Sequence, residues 1–258
     1  MARVLAISSQ VVYGPVGLNC IVPALQAQGH EVLALPTVLL SNHPGHGKPE
    51  GRATQANELT AMIGALEKLG ALKSIDAVIT GYFSSVEQIE VVASLIARLN
   101  TKIILVDPVI GDDGKLYVSE AVASAIRDQL LPLAGIITPN AFELSWLTKH
   151  DVHNRDEAVT AARTMADVDV IATSVPEGSD KLCTLRVTEN DVEDFTSNKM
   201  KLVPNGTGDF LSGLYLAHLL GNRPGQALAD AMSILQRAIT LSKGTSVLAV
   251  AQSLSQRP

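Results

Sequence analysis

The sequence predicts an α/β domain with a mostly parallel central sheet, helices on both faces and an antiparallel hairpin at one edge. Three observations carry that reading. Short apolar runs alternate with stretches of helical length and spacing, the pattern of right-handed crossovers between parallel strands. The runs Leu182–Val187 and Val192–Phe195 are separated only by Thr-Glu-Asn-Asp, which is hairpin spacing. Hydrophobic residues make up 47% of the 258, enough for a substantial core and too many for a disordered chain.

Taken in order, Val4–Ile7 reads as the first strand and Gly17–Gln28 as a helix closed by Gly29. Glu31–Leu35 is the second strand, and the Gly-, Pro- and His-rich stretch Ser41–Arg52 reads as a loop. Thr54–Lys68 has helical spacing, Ala77–Gly81 is a strand, Val86–Leu99 a helix and Ile103–Asp107 a strand. Ile136–Thr138 and Val170–Thr173 are further strands, with a short helix at Phe142–Leu147. Asn154 has Glu157 three residues on, a capping-box pattern with Asn at the cap. Leu211–Leu220 is a helix with Leu211, Leu214, Tyr215 and His218 on one stripe and Gly213 admitting close approach of a neighbour. At its end, His218 reads as a packing or C-terminal capping residue. No linker, repeat or low-complexity tract divides the chain, so residues 1–258 read as one domain with a polar, frayed tail after about Gln252.

Charge and composition narrow the function. Lys and Arg total 20 against 26 Asp and Glu, a formal charge of −6, which gives no electrostatic footprint for nucleic acid or an anionic membrane. Aromatics at 3% remove the stacking platforms of single-strand binders. A bound anion must therefore be held by local amides or a metal. Cys20 and Cys183 have no metal or redox spacing and read as buried free thiols. The start, MARVLAISSQ, is not a signal peptide, and no apolar run approaches membrane length, so a soluble, cytoplasmic protein is expected.

In open α/β sheets, ligands collect at the carboxyl ends of the strands. Here those ends are Ser8 and Ser9, Gly81 and Tyr82, Asp107, Thr138 to Asn140, and Thr173 with Ser174. The stretch VPNGTGDFLSGLYLAHLL adds Gly206, Thr207 and Gly208, whose amides open a helix and favour an anion. Asp209 follows in the first turn. It reads either as a helix cap or as a general base beside an anion hole, and these four residues alone leave both open.

NGTGDFLSG resembles the anion-hole and base motif of the ribokinase-like superfamily. SSQVVYGPVG, ALPTVLLSNHPGHG, TGYFSS, VDPVIGDDGKLYVSE and ITPNAFELSWL, in this order, resemble its pyridoxal kinase branch. The similarity runs from Arg3 to about Lys243. It implies the three-layer ribokinase-like fold and ATP-dependent phosphorylation of the 5′-hydroxyl of pyridoxal and related vitamers. Asp209 would be the base and Gly206, Thr207 and Gly208 the anion hole. The vitamin would meet Ser9, Val11, His43, Pro44, Tyr82 and Asp209. Asp107, Thr138, Asn140, Glu143, Thr173 and Ser174 would serve ATP, with Asp107 and Glu143 on Mg²⁺. A monovalent cation, usually potassium, is implied near Asp107 and Thr138, and a homodimer is implied as the assembly.

The sequence departs from that pattern where Pro44 replaces a Thr and removes one hydroxyl contact to the vitamin. Pro15 and Leu18 also stand where the family usually has His and Asn, and Thr173 where some bacterial relatives have Lys. Hydroxymethylpyrimidine kinases share the fold, but many have Cys at the Asp209 position. A non-catalytic vitamin-binding protein would not need Asp209, the glycines and the phosphate-side hydroxyls together. Gly14 and Gly17 form only GxxG, with no acid ending the second strand, so a dinucleotide-binding fold fits poorly; GxxxxGK[ST] is absent. The pairs His43/His46 and His150/His153 lack a third metal ligand.

Overall fold

Nine strands pair into one sheet in the computed structural model, which describes residues 1–101, 103–200 and 202–255. They are β1 (Arg3–Tyr13), β2 (Glu31–Asn42), β3 (Gly51–Ala53), β4 (Ala77–Thr80), β5 (Ile103–Val106), β8 (Ile136–Ile137), β9 (Asp169–Glu177), β10 (Lys181–Val187) and β11 (Val192–Asn198). The two-residue strands β6 (Gly111–Asp112) and β7 (Lys115–Leu116) form a separate small hairpin. Across the sheet the order is β11-β10-β9-β8-β5-β4-β1-β2-β3. The interior pairs from β9 to β2 are parallel. The predicted hairpin β10–β11 is antiparallel, and so is β3 on the opposite edge.

Period-two burial explains why helices cover both faces. Leu5, Ile7, Val78 and Val106 face one core with α2 (Ala56–Lys68), α3 (Val86–Arg98), α4 (Glu120–Ala125), α5 (Ala141–Thr148) and α6 (Arg155–Arg163). Val4, Ala6, Ile79 and Leu105 face the other, with α1 (Leu18–Ala27), α7 (Thr207–Leu219), α8 (Ala227–Leu241) and α9 (Val250–Ser255). The chain enters at β1, crosses to β2 on one side, then returns to β4 on the other. The strand order therefore reverses between β1 and β4, which opens a crevice at their carboxyl ends.

Several expectations are corrected. β1 runs on to Tyr13 rather than stopping at Ile7, because β2 also continues to Asn42 and pairs with it. The loop Ser41–Arg52 contains a 3₁₀ turn at Pro44–His46, and Gly51 and Arg52 join β3 on the edge of β2. α7 begins at Thr207, four residues before the predicted start, and Phe210–Ala217 are all buried, so it has no single apolar stripe. It lies between the sheet, α1 and α8. At α6 the box is half-formed: Asn154 caps the Glu157 amide, but Glu157 reaches back to the His153 amide. The tail is not frayed from Gln252: α9 continues through Ser255, and Ser253 is buried with its hydroxyl donating to the Val250 carbonyl. The last three positions lie outside the described residues. The strands β6 and β7 and the helices α4, α8 and α9 carry no counterpart in the sequence reading.

Gly213 fits its expected use. A Cβ there would lie 3.0 Å from the Ile21 Cα and 3.2 Å from the Ala24 Cβ, so α1 and α7 cross almost backbone to backbone. Gly213→Val is expected to destabilise the protein by about 1–3 kcal/mol through overpacking, read from urea unfolding. An unchanged midpoint would show that the crossing has slack.

Candidate active site

The crevice between β1 and β4 is filled by the start of α7. Gly206 caps that helix with φ 90°, and a Cβ there would collide with the Pro15 carbonyl, so only glycine fits. The first ladder bond runs from the Phe210 N–H to the Gly206 carbonyl at 2.9 Å. The amides of Thr207, Gly208 and Asp209 precede it and stay outside the ladder, where the helix dipole favours negative charge. The N-cap of α7 is Gly206, so no side chain caps the helix there, and Asp209 lies three residues further on. The Gly17 amide, at the start of α1, lies near its carboxylate and favours its charged form. Two helix starts thus converge on one acid.

Asp209 keeps part of its surface open to the crevice while protein packs around the rest of it. Burial lifts its pKa to about 6, and the Gly17 amide draws it only partly back. Gly81, just after β4, leaves the room this needs: a Cβ there would sit 2.5 Å from Ser8 Oγ and 3.8 Å from Asp209 Oδ1. Ser8 Oγ accepts the Tyr82 N–H at 3.2 Å and fixes the turn that carries Tyr82. Ser9 packs against Gly17, whose φ of 55° is another position closed to a side chain. Pro15 has a backbone role: its carbonyl accepts the Cys20 S–H at 2.9 Å and abuts Gly206. Burial, then the Asp209 charge, pushes the Cys20 thiol up, so it is inert. Leu18 is buried at the start of α1.

The second half of the site lies at the ends of β5 and β8. Asp107 is buried, and desolvation followed by the like charge of Asp209 raises its pKa well above the carboxylate range. Hydroxyls from Ser212 and Thr138 oppose that shift. Asn140 and Glu143 form a full capping box at the start of α5, with both reciprocal bonds at 2.9 Å. Glu143 also accepts the Ile110 and Gly111 amides at 3.0 and 3.4 Å, and Asn140 Nδ2 donates to the Gly111 carbonyl at 2.8 Å. These bonds strap the β6–β7 hairpin to α5. Burial and Asp107 nevertheless raise the Glu143 pKa.

Thr173 joins this edge through its N–H to the Pro139 carbonyl at 2.8 Å. Next to it, Ser174 is exposed with φ 55°, where Thr184 of β10 faces two residues of β9. This bulge interrupts the β9–β10 pairing beside the site, which resumes at Val175–Cys183. On the other side, His43 caps the Pro44–His46 turn by accepting the Gly45 N–H at 3.1 Å. The turn rests against Asn205, since a Cβ at Gly45 would be 2.8 Å from Asn205 Nδ2. Pro44 is exposed at the first position of that turn, where its fixed φ suits the backbone. Val11 is buried and lines an open cleft of about 510 Å³ on the β1–β2–β3 ribbon; no other predicted site residue lines that cleft. His150 and His153 are exposed, and among the described residues no group of three or more His, Cys, Asp or Glu is arranged to hold a metal. His218 lies 3.7 Å from Asp230 in the last turn of α7, a packing position.

Sequence reasoning named Ser8 as a strand end but gave no site role to Gly17, Asn205 or Ser212, although all three lie within the quoted motifs.

The comparisons with known proteins agree with this geometry. The phosphomethylpyrimidine kinase family model matches residues 55–252. The chain is 37% identical over 243 residues to the pyridoxine/pyridoxal/pyridoxamine kinase of Bordetella avium, covering 89% of this chain and 81% of that one. The chain belongs to the pyridoxal kinase family. It is also 34% identical over 242 residues to the pyridoxal kinase PdxY of Corynebacterium diphtheriae, covering 90% and 84% of the two. The pyridoxal kinase structure from Entamoeba histolytica superposes with TM-score 0.93 at 28% identity, covering 98% of this chain and 94% of that one. That from Leishmania donovani with ADP and pyridoxine superposes with TM-score 0.89 at 29% identity and the same coverage. The three-layer arrangement is the ribokinase-like one, and the protein is a kinase.

In this kinase the charge on Asp209 costs stability. Its folded pKa of about 6 lies above the unfolded value of about 3.9, so the cost is absent below about pH 4, grows to about pH 6 and is full above. Asn removes that charge while keeping the shape of the side chain. Asp209→Asn should therefore be more stable than wild type by on the order of 2 kcal/mol at neutral pH, with the gap closing toward pH 4. Melting temperatures across that range check this; a pH-independent difference contradicts the burial cost.

Proposed function

We propose that this kinase, as a single domain, transfers the γ-phosphoryl group of ATP to the 5′-hydroxyl of pyridoxal, giving pyridoxal 5′-phosphate, and accepts pyridoxine and pyridoxamine as related substrates. One observation carries the mechanism: a carboxylate with its pKa lifted to about 6 stands in the same helical turn as amides left outside the ladder. Asp209, ionised at neutral pH, accepts the hydroxyl proton as the oxygen attacks. The backbone from Gly206 to Gly208 stabilises charge on the transferred group. Ser9, Val11, His43, Pro44 and Tyr82 shape the vitamin side. Thr138, Asn140, Thr173 and Ser174 meet the nucleotide phosphates.

The acids suit Mg²⁺. Asp107 and Glu143 are hard oxygen donors whose buried charges repel one another, and a cation relieves that repulsion. Asp107 would hold the ion, with Glu143 behind it, and water and phosphate oxygens completing the shell. Once bound, the ion offsets the negative charge of the phosphates. A monovalent cation, K⁺ by family resemblance, would sit near Asp107 and Thr138. Val12, Tyr13 and Leu39, exposed at 88%, 55% and 41% on the β1–β2–β3 ribbon, support a homodimer. Both free cysteines are buried, and no helix among the described residues is long and apolar enough to cross a membrane, in keeping with a cytoplasmic enzyme.

Purified protein with ATP and Mg²⁺ should phosphorylate pyridoxal in preference to hydroxymethylpyrimidine. Turnover of the pyrimidine with every B6 vitamer ignored would overturn the substrate assignment. Because Asp209 acts only when ionised, kcat/KM for pyridoxal should fall tenfold per pH unit below about pH 6. A flat acid limb down to about pH 5 would remove Asp209 as the titrating base.

A further inference from the structure

Ser212 is a buried polar residue to which the proposed chemistry gives no role. It lies on α7 one turn after Gly208 and is 1% exposed. A serine inside a helix often donates to the carbonyl four residues back, and Ser212 Oγ is 3.0 Å from the Gly208 carbonyl oxygen. That contact alone is ordinary helix chemistry. The same Oγ, however, lies 2.9 Å from Asp107 Oδ2, at the end of β5. It also lies 2.9 Å from Thr138 Oγ1, at the end of β8. One hydroxyl hydrogen thus faces two acceptors, a carboxylate and a peptide carbonyl, while a second hydroxyl packs beside it.

The Gly208 carbonyl belongs to the same planar peptide unit as the Asp209 N–H. Holding the carbonyl fixes the direction of that N–H and the start of the residue that bears the base. Ser212 therefore joins the acid and hydroxyl on the nucleotide side to the peptide that carries both an anion-hole donor and Asp209. We propose that Ser212 is a positioning residue for phosphoryl transfer: it locks Asp107 and Thr138 to the Gly208–Asp209 peptide so that both halves of the site assemble in register. This rests on the anion-hole reading of α7. Small displacements at such a junction cost rate, since reacting atoms must be held close to their attack geometry. None of the vitamin-side residues hydrogen-bonds to Ser212 among the described residues, so vitamin binding stands apart from it.

The test uses Ser212→Ala and Ser212→Cys in the intact protein, beside wild type and Asp209→Asn. Cysteine keeps a donor at the same position, weaker than the serine hydroxyl and somewhat larger. Ser212→Ala should lower kcat by about tenfold, the size of one hydrogen bond to a charged group. It should also raise the Mg²⁺ concentration for half-maximal activity several-fold, whereas Ser212→Cys falls between Ala and wild type. The pyridoxal Kd, measured by calorimetry without nucleotide, should stay within about twofold, because a register defect acts on the transition state more than on vitamin binding. A Ser212→Ala protein with wild-type kcat and Mg²⁺ dependence but a lower melting temperature makes Ser212 a packing residue and overturns the proposal. So do equal losses in pyridoxal binding and Mg²⁺ activation, which signal general disruption. If the alanine variant fails to fold, wild-type kinetics in Ser212→Cys overturn it, and a lower kcat with a raised Mg²⁺ requirement supports it. Normal turnover by Asp209→Asn would instead remove the underlying reading of α7, whatever Ser212 does.

Discussion

Carboxylates taken out of water beside one another are the constraint on which this structure turns. Burial raises the cost of ionising Asp209, the Asp209 charge raises it for Asp107, and Asp107 raises it for Glu143 behind it. Charge burial on this scale persists only where something compensates it. Here the compensation is local. Asp209 has the start of its own helix and the Gly17 amide, Asp107 has two hydroxyls, and Glu143 has three backbone amides. In the proposed function, what these donors leave uncompensated is what would draw a cation to Asp107 and let Asp209 accept a proton near neutrality. The cost in stability and the capacity for chemistry are the same quantity seen from two sides.

That arrangement is possible because the backbone approaches itself at a few points that exclude side chains. Gly206 meets the Pro15 carbonyl, Gly17 meets Ser9, Gly81 meets Ser8, and Gly213 meets α1. Together they press α7 into the crevice where strand order reverses. Each contact draws on a different segment, so the position of Asp209 reports the packing of β1, β4, α1 and α7 at once. The Cys20 thiol, the residue nearest to looking reactive, serves the Pro15 carbonyl within that packing.

Much of this was legible in the sequence, and the limits are physical. Alternating apolar runs located the parallel strands because both faces of the sheet are buried and each crossover is local. The strand-end rule placed Asp107, Thr138 and Asn140 on one edge without knowledge of strand order. The order itself, and hence the reversal between β1 and β4, depends on pairing between distant segments and left no local trace. α7 is buried all round, so its apolar period misjudged the start by a turn. β1 overran its predicted end because its last residues gain partners only when β2 also extends. Pro44 and Pro15 looked like lost contacts; the first starts a 3₁₀ turn, and the second acts through its carbonyl. Ser212 was hidden because its partners come from two strands 105 and 74 residues away in sequence.

The central claim is that the carboxylate at the start of α7 takes the proton during transfer rather than serving the helix. Steady-state kinetics of Asp209→Asn with pyridoxal and Mg·ATP test it most directly, because Asn preserves shape and polarity but cannot accept that proton. The account predicts a kcat lower by roughly 10²–10⁴, the range for loss of a general base, with pyridoxal KM moving far less. A folded Asp209→Asn protein turning over at nearly the wild-type rate would contradict it.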